Sequence, residues 1–228
     1  MKLGYWKIRG LAGPIRLLLE HVGESYEEEI YEQGDADSGY CKKVWFDVKD
    51  KLGLPLPNLP YLIDGSVQIT QSTAILRYLA KKHNLLGETE QEQCDADMVV
   101  GEGMDLNGRF TGLCYRGDPF EEKKDAYLKE LPQYLHRFSE FLASKSFFAG
   151  EKVTYCDFVM WHQLDQHKML DPQCLDPFPN LAEFISRFEA LPNIKAYMLG
   201  DKFIYYPINN KHAKFGGDAP RQHAGLEP

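Results

Sequence analysis

The sequence predicts an α/β domain followed by an all-helical domain, and three observations carry that reading. Strand and helix signals alternate through the first 83 residues in the order β-α-β, then β-β-α. Strand signals almost vanish beyond residue 88, where long helical patterns follow one another. A short polar stretch, 84–88, separates the two regimes and reads as a linker. The expected division is therefore 1–83, a linker at 84–88, an all-helical domain at 89–215 and a disordered tail at 216–228, where Gly, Pro and polar residues dominate.

Each element has a local reason. Residues 2–6 read as a strand, and 14–22 as a helix with Pro14 in its first turn and Gly23 just past its end. Residues 26–31 form a second strand, and 32–60 are polar and irregular with short helical stretches. Tyr61-Leu62-Ile63 is a short apolar strand, and Asp64-Gly65 is a strong hairpin cue leading into Val67-Gln68-Ile69-Thr70. Ser72 then opens a helix with Ile75, Leu76 and Leu79 at helical spacing. This order implies a mixed four-stranded sheet, parallel in its first half and antiparallel in its second, which is the thioredoxin-like pattern. In the second half the helices are punctuated by Pro119, Pro132, Pro172, Pro177, Pro179 and Pro192. Thr154-Tyr155-Cys156-Asp157 reads as a capping box, so Asp157→Ala is expected to impair folding rather than ligand affinity. There are no repeats.

Composition excludes several functions. Charged residues make up 26% and the net charge is −8, a soluble surface with nothing to attract nucleic acid or anionic membranes. No window approaches the length of a membrane span, and the first residues enter a strand without a signal-peptide apolar stretch. Five scattered cysteines with no C-x-x-C pair argue for a reducing compartment and against a zinc site, and the seven histidines gather no metal-ligand spacing. The expectation is a cytoplasmic protein without metal.

Asn58-Leu59-Pro60 before the hairpin and Gln71-Ser72 after it form two halves of a device for holding a small peptide. If the Leu59–Pro60 bond is cis, the backbone N–H and C=O of Leu59 turn outward and can pair with an extended peptide as a further strand would. Ser72 brings a hydroxyl and free backbone N–H groups to a helix start, where a carboxylate is favoured. Either half alone reads as an ordinary hairpin or an ordinary cap.

With Asn-Leu-Pro-Tyr, Gln-Ser and the T-x-x-D box in this order, the chain resembles the cytosolic glutathione transferases. Gly4-Tyr5-Trp6, Arg9-Gly10, Pro14-Ile15-Arg16-Leu17-Leu18-Leu19, Lys51-Leu52-Gly53-Leu54 and the insert at 34–45, the mu loop, resemble the mu class in particular. The likeness runs from residue 2 to about 215. It implies attack by the glutathione thiolate on hydrophobic electrophiles, with glutathione as co-substrate, in a homodimer.

By that resemblance Tyr5 stabilises the thiolate by donating a hydrogen bond, although on the residues alone it reads as a core tyrosine. Trp6, Lys42, Trp45, Lys49 and Asn58 are assigned to the glycine end of glutathione, Leu59 and Pro60 to the cysteinyl backbone, and Gln71 and Ser72 to the γ-glutamyl carboxylate. Without the family, Trp45 and Lys49 read as members of a solvated loop. Lys42 stands where the family's loop usually carries arginine, so the charge is kept and the bidentate fork lost. Asp105 would reach across a subunit interface toward the glutathione bound next door, with Arg77 and Asp97 as interface ion-pair partners. Leu56 replaces the aromatic residue of the family's interface lock, which implies a weaker dimer. Ile8, Leu11, Met104, Arg109, Tyr115 and Ile208 are implied to line the electrophile pocket; core packing is the competing reading for Met104 and Leu11. Cys41 lies in the loop insert, away from the strand–helix turn where some related classes use cysteine, and reads as inert. A ligand carrier or structural protein on the same fold, or a glutathione-dependent isomerase, remains the alternative.

Overall fold

The computed structural model describes residues 1–217. By packing, the chain forms two compact units, one of Met1–Leu79 together with the chain from Lys195 onward, the other of Ala80–Ile194.

The first unit is built on four strands, β1 (Lys2–Trp6), β2 (Glu27–Tyr31), β3 (Tyr61–Asp64) and β4 (Val67–Thr70), in the order β2-β1-β3-β4. β1 runs parallel to β2 and antiparallel to β3, and β3 pairs antiparallel with β4. This is the mixed sheet that the element order predicts. Helix α1 (Gly13–Val22) connects β1 to β2; Pro14 lies in its first turn, and Gly23 closes it in the left-handed conformation at φ 68. The hairpin pairs Asp64 with Val67, so its turn residues are Gly65 and Ser66. The Leu59–Pro60 bond is cis. Three short helical pieces, a 3-10 turn at Ala36–Ser38, α2 (Lys43–Phe46) and a 3-10 turn at Lys49–Lys51, interrupt the loop between β2 and β3.

Helix α3 (Ser72–Lys82) follows β4. Its cap is Gln71 rather than Ser72: the Gln71 carbonyl accepts the Ile75 N–H at 3.0 Å, and Gln71 itself stands at φ 73. A non-glycine residue in that region carries backbone strain that the surroundings must hold in place.

The chain after Lys195 packs with the first unit through backbone bonds. Arg9 N–H donates to the Pro207 carbonyl at 2.8 Å and Gly10 N–H to that of Ile208 at 3.2 Å. Gly216 and Gly217, expected to open the disordered tail, are buried, and the Gly216 carbonyl accepts from Ile208 and Asn209. The rest of that tail lies outside the described residues.

The second unit is helical: α4 (Glu90–Arg116), α5 (Phe120–Leu142), α6 (Tyr155–Leu170), α7 (Pro179–Glu189) and α8 (Pro192–Leu199), the last crossing its boundary. Helix α4 begins in a reciprocal box that the sequence reading passed over: Glu92 N–H donates to Thr89 Oγ1 at 3.1 Å, and Thr89 N–H to Glu92 Oε2 at 3.0 Å. Pro132, read as punctuation, lies inside α5. Helix α6 is buried along nearly its whole length, which explains its weak amphipathic pattern, since a helix surrounded by protein has no polar face to display. No helix among the described residues is long and apolar enough to cross a membrane.

The expected capping box starts α6. Thr154 N–H donates to Asp157 Oδ2 at 2.7 Å. The same carboxylate also takes the Phe148 N–H at 2.8 Å, tying the preceding Phe147–Gly150 bridge to the helix start. Burial pushes the Asp157 carboxyl up to about 6, against the pull of these N–H donors. On the same helix burial pushes His167 down to about 4; its Nε2 lies 2.6 Å from the Tyr127 hydroxyl and its Nδ1 2.6 Å from the Gln163 carbonyl. The two shifts oppose each other. Between the ordinary carboxyl value of 3.8 and about 6, the native state keeps a proton on Asp157 that the unfolded chain has lost, so stability falls as pH rises. Between about 4 and 6.5, the unfolded chain carries a proton on His167 that the native state lacks, so stability rises. Asp157→Asn removes the first contribution. Relative to wild type its stability should climb between pH 4 and 6 by up to about 1.4 kcal/mol per pH unit. Urea midpoints of both proteins across that window test this, and parallel curves would contradict it.

Candidate functional site

At one end of the sheet three strands bring the first set of residues side by side. Gly4 pairs with Tyr61 and Tyr61 with Thr70, so the next residues along, Tyr5, Pro60 and Gln71, sit at the same end of β1, β3 and β4. Tyr5, Ile8, Tyr31, Trp45, Leu59 and Tyr61 form one buried cluster, against which Trp6 and Leu11 pack. Gly4 is required here, because a Cβ at that position would come within 2.1 Å of the Tyr61 ring.

Tyr5 is 5% exposed. Its hydroxyl oxygen accepts the Leu11 N–H at 3.0 Å. That bond uses a lone pair and leaves the O–H proton for another acceptor. Burial raises the phenol above its ordinary range, with the Leu11 N–H and the Arg16 charge pulling the other way, so the hydroxyl keeps its proton at neutral pH. The Leu11 N–H is delivered by a turn at Gly10, which adopts φ +37 and would carry a Cβ only 2.7 Å from the Tyr5 hydroxyl.

Arg16 holds that turn. It is fully buried on α1 and donates Nη1 to the carbonyls of Ile8 at 2.8 Å and Arg9 at 3.3 Å. Its Nε and Nη2 meet the Glu28 carboxylate on β2, and its guanidinium lies 6.0 Å from the Tyr5 ring centroid. In the sequence Arg16 stands out only as part of the run Pro14-Ile15-Arg16-Leu17-Leu18-Leu19. A lone arginine among Ile15, Leu17, Leu18 and Leu19 was the available signal, since a buried cation requires partners.

The loop residues divide. Trp45 is 5% exposed, stacked on Tyr61 at 6.2 Å and edge-on to Tyr31 at 5.3 Å, so it is a core residue and not the aromatic of a solvated loop. The Tyr31 and Tyr61 hydroxyls meet at 3.1 Å beneath it. Trp6 packs edge-on to Tyr31. Lys49 lies over the Phe46 ring at 5.4 Å, and Lys42 precedes α2, half-exposed. Asn58 is exposed; its Oδ1 accepts the Leu59 N–H at 2.9 Å, occupying the donor expected to face a peptide. Ser72, 7% exposed, is the first residue of α3. Ile208 is buried, and its carbonyl holds the Gly10 N–H.

In the second unit, Met104, Asp105, Arg109 and Tyr115 all lie on α4. Asp105 and Arg109 are exposed one turn apart, and the Arg109 guanidinium covers the Tyr134 ring at 4.8 Å. Met104 and Tyr115 are half-buried. Asp97, read as an interface ion-pair partner, accepts a hydrogen bond from the Tyr155 hydroxyl of its own chain. Leu56 is 74% exposed. All five cysteines are free thiols, and no group of three or more His, Cys, Asp or Glu among the described residues is arranged to hold a metal.

Removing the Arg16 charge leaves the Glu28 carboxylate and two carbonyls without their donor. Arg16→Met should therefore cost about 3 kcal/mol of stability, read as a lower denaturation midpoint. A loss below about 1 kcal/mol would mean that water replaces the guanidinium without consequence.

Residues 1–81 match the family described as Glutathione S-transferase, N-terminal domain, and residues 104–200 the family described as Glutathione S-transferase, C-terminal domain. Glutathione S-transferase Mu 3 of Homo sapiens is 53% identical over 216 residues, 95% of this chain and 95% of that protein. Glutathione S-transferase Y1 of Cricetulus longicaudatus is 52% identical over 215 residues, 94% of this chain and 98% of the relative. Among solved structures, the Pi-class glutathione S-transferase of Onchocerca volvulus superposes with a TM-score of 0.81 at 36% identity, covering 93% of this chain and 99% of that one.

Proposed function

The chain belongs to the glutathione S-transferase family, and from that premise we propose that it is a mu-class enzyme joining the glutathione thiolate to hydrophobic electrophiles. The observation that carries this reading is the Tyr5 hydroxyl, buried, protonated and fixed by the Leu11 N–H with its own proton left to donate. A free thiol near pKa ~8.5 is only a few per cent ionised at neutral pH. Tyr5 donates to the sulfur anion and stabilises it before the electrophile arrives. A shift of about 2 pH units corresponds to about 2.7 kcal/mol, within the reach of one or two charge-assisted hydrogen bonds.

Glutathione lies along the end of the sheet in the domain of residues 1–83. Trp6, Lys42, Trp45, Lys49 and Asn58 take its glycine end, Leu59 beside Pro60 its cysteinyl backbone, and Gln71 and Ser72 its γ-glutamyl carboxylate. For Leu59 to pair with the peptide through its N–H, the Asn58 side chain must first turn away from it, which also frees that amide for the ligand. Ile8, Leu11 and Ile208 offer apolar contacts to the electrophile. Met104, Arg109 and Tyr115 keep the electrophile-side roles that the family resemblance implies. The enzyme works in the cytoplasm as a homodimer, with Asp105 reaching the glutathione bound to the partner subunit. An intact thiol-activating and peptide-binding set favours catalysis over a carrier role on the same fold.

Tyr5→Phe removes the donor and, with it, the acceptor of the Leu11 N–H. With an activated chloronitrobenzene as electrophile, kcat/KM should fall at least about tenfold, or about 1.4 kcal/mol, with the affinity for glutathione nearly unchanged. A loss of less than about twofold would remove Tyr5 from the chemistry. The interface reading has its own test in the exposed Leu56. Leu56→Phe buries more apolar area and should tighten the dimer in sedimentation runs at low micromolar concentration. An unchanged association constant would place Leu56 outside the interface.

A further inference from the structure

The loop between β2 and β3 carries Lys42 and Trp45, and it is held differently on the two sides of Lys42. On the far side the buried Trp45 anchors α2 in the core. The Lys42 carbonyl accepts the Trp45 and Phe46 N–H groups there, at 3.0 and 3.2 Å. On the near side only Gln33 is buried among residues 32–42, so no apolar side chain pins this half. A loop without apolar anchors opens readily unless something else ties it down.

The ties are polar and come from the other end of the chain. Gln33 donates Nε2 to the Tyr40 carbonyl at 3.1 Å. His212, a residue 179 positions later, brings its Nδ1 to 3.2 Å from that nitrogen and 3.3 Å from Oε1 of the same amide. A neutral imidazole therefore meets a partner on Gln33 in either tautomer. Burial and the Lys42 charge push the His212 ring below its ordinary range, so it is neutral at neutral pH. Its ring also lies 5.9 Å from that of Tyr40. Tyr40 stands at φ 56, a strained conformation for a non-glycine residue that its surroundings must impose. Lys211, one residue earlier, reaches Asp35 at 2.7 Å and Glu32 at 3.4 Å, but such exposed pairs contribute little. Gln33, Tyr40, Lys42 and His212 line one open cleft of about 530 Å³, so the tie and the lysine share a wall.

We propose that His212 is a positioning residue for glutathione: through the Gln33 amide and the Tyr40 ring it fixes the loop of residues 33–42 so that Lys42 is presented to the glycine carboxylate. The inference rests on the assignment of Lys42 to the glycine end. His212 acts through the loop and leaves the thiol chemistry to Tyr5. The segment after Lys195 thereby has a part in substrate binding as well as in the fold of the first unit.

Three full-length variants test this: His212→Leu, His212→Asn and Lys42→Ala. Leucine and asparagine share a branched shape, and only asparagine keeps an amide where Nδ1 stood. His212→Leu should raise KM for glutathione about threefold or more, with kcat at saturating glutathione unchanged. Hydrogen exchange of the amides of residues 34–41 should quicken about fivefold or more in the same variant. His212→Asn should stay within about twofold of wild type in both measurements. Unchanged KM or unchanged exchange in His212→Leu, or equal losses in His212→Leu and His212→Asn, would overturn the inference. Lys42→Ala separates the two ways of failing. An unchanged KM there removes the Lys42 assignment and the inference with it, whereas a raised KM beside an unaltered His212→Leu removes the role of His212 alone.

Discussion

A single buried guanidinium organises the site end of the sheet. Arg16 reaches from α1 to Glu28 on β2 and to the carbonyls of Ile8 and Arg9 in the turn after β1. A charge in that position is costly unless it is paired and hydrogen-bonded, and two of the groups that meet it, the Ile8 and Arg9 carbonyls, belong to the turn. The turn then presents Gly10 and Leu11 to Tyr5. The position of one hydroxyl thus follows from an ion pair two elements away, while the same positive charge moderates the rise in the phenol's pKa that burial causes.

Much of the architecture was legible because it is local. Asp64-Gly65 between two apolar runs marks a hairpin by its turn chemistry, Pro14 and Gly23 bound α1, and T-x-x-D marks the start of α6. The same local logic would have found the Thr89–Glu92 box, which has the identical spacing. What escaped the sequence depends on partners far away along the chain. Trp45 looks like a loop residue until Tyr31 and Tyr61 close around it. Gln71 enters the left-handed region only because the sheet and α3 fix both of its neighbours. Pro132 reads as a helix boundary, yet α5 passes through it. The segment after Lys195 has no periodic pattern, and its place in the first unit is set by backbone bonds to Arg9 and Gly10.

The residues proposed for the site were legible in a different way. Tyr5, Asn58, Leu59, Gln71 and Ser72 are unremarkable singly, and their meaning came from order and spacing along a family pattern. The strand register adds a physical reason for that order, because Tyr5, Pro60 and Gln71 occupy one end of three adjacent strands. In the second unit, α6 plays a scaffolding part: buried along its length, it is tied at its start by Asp157 and near its end by His167, each held in its neutral form over part of the acid range by the surrounding protein.

The central claim is that a neutral, buried tyrosine hydroxyl lowers the pKa of a bound thiol by donating to its anion. The most direct measurement is a pH titration of the ultraviolet thiolate absorbance of glutathione bound to wild type and to Tyr5→Phe. The account predicts an apparent thiol pKa about 2 units below the free value of ~8.5 in wild type, returning toward that value in the variant. The same low pKa in both proteins would contradict it and assign thiolate stabilisation to another group.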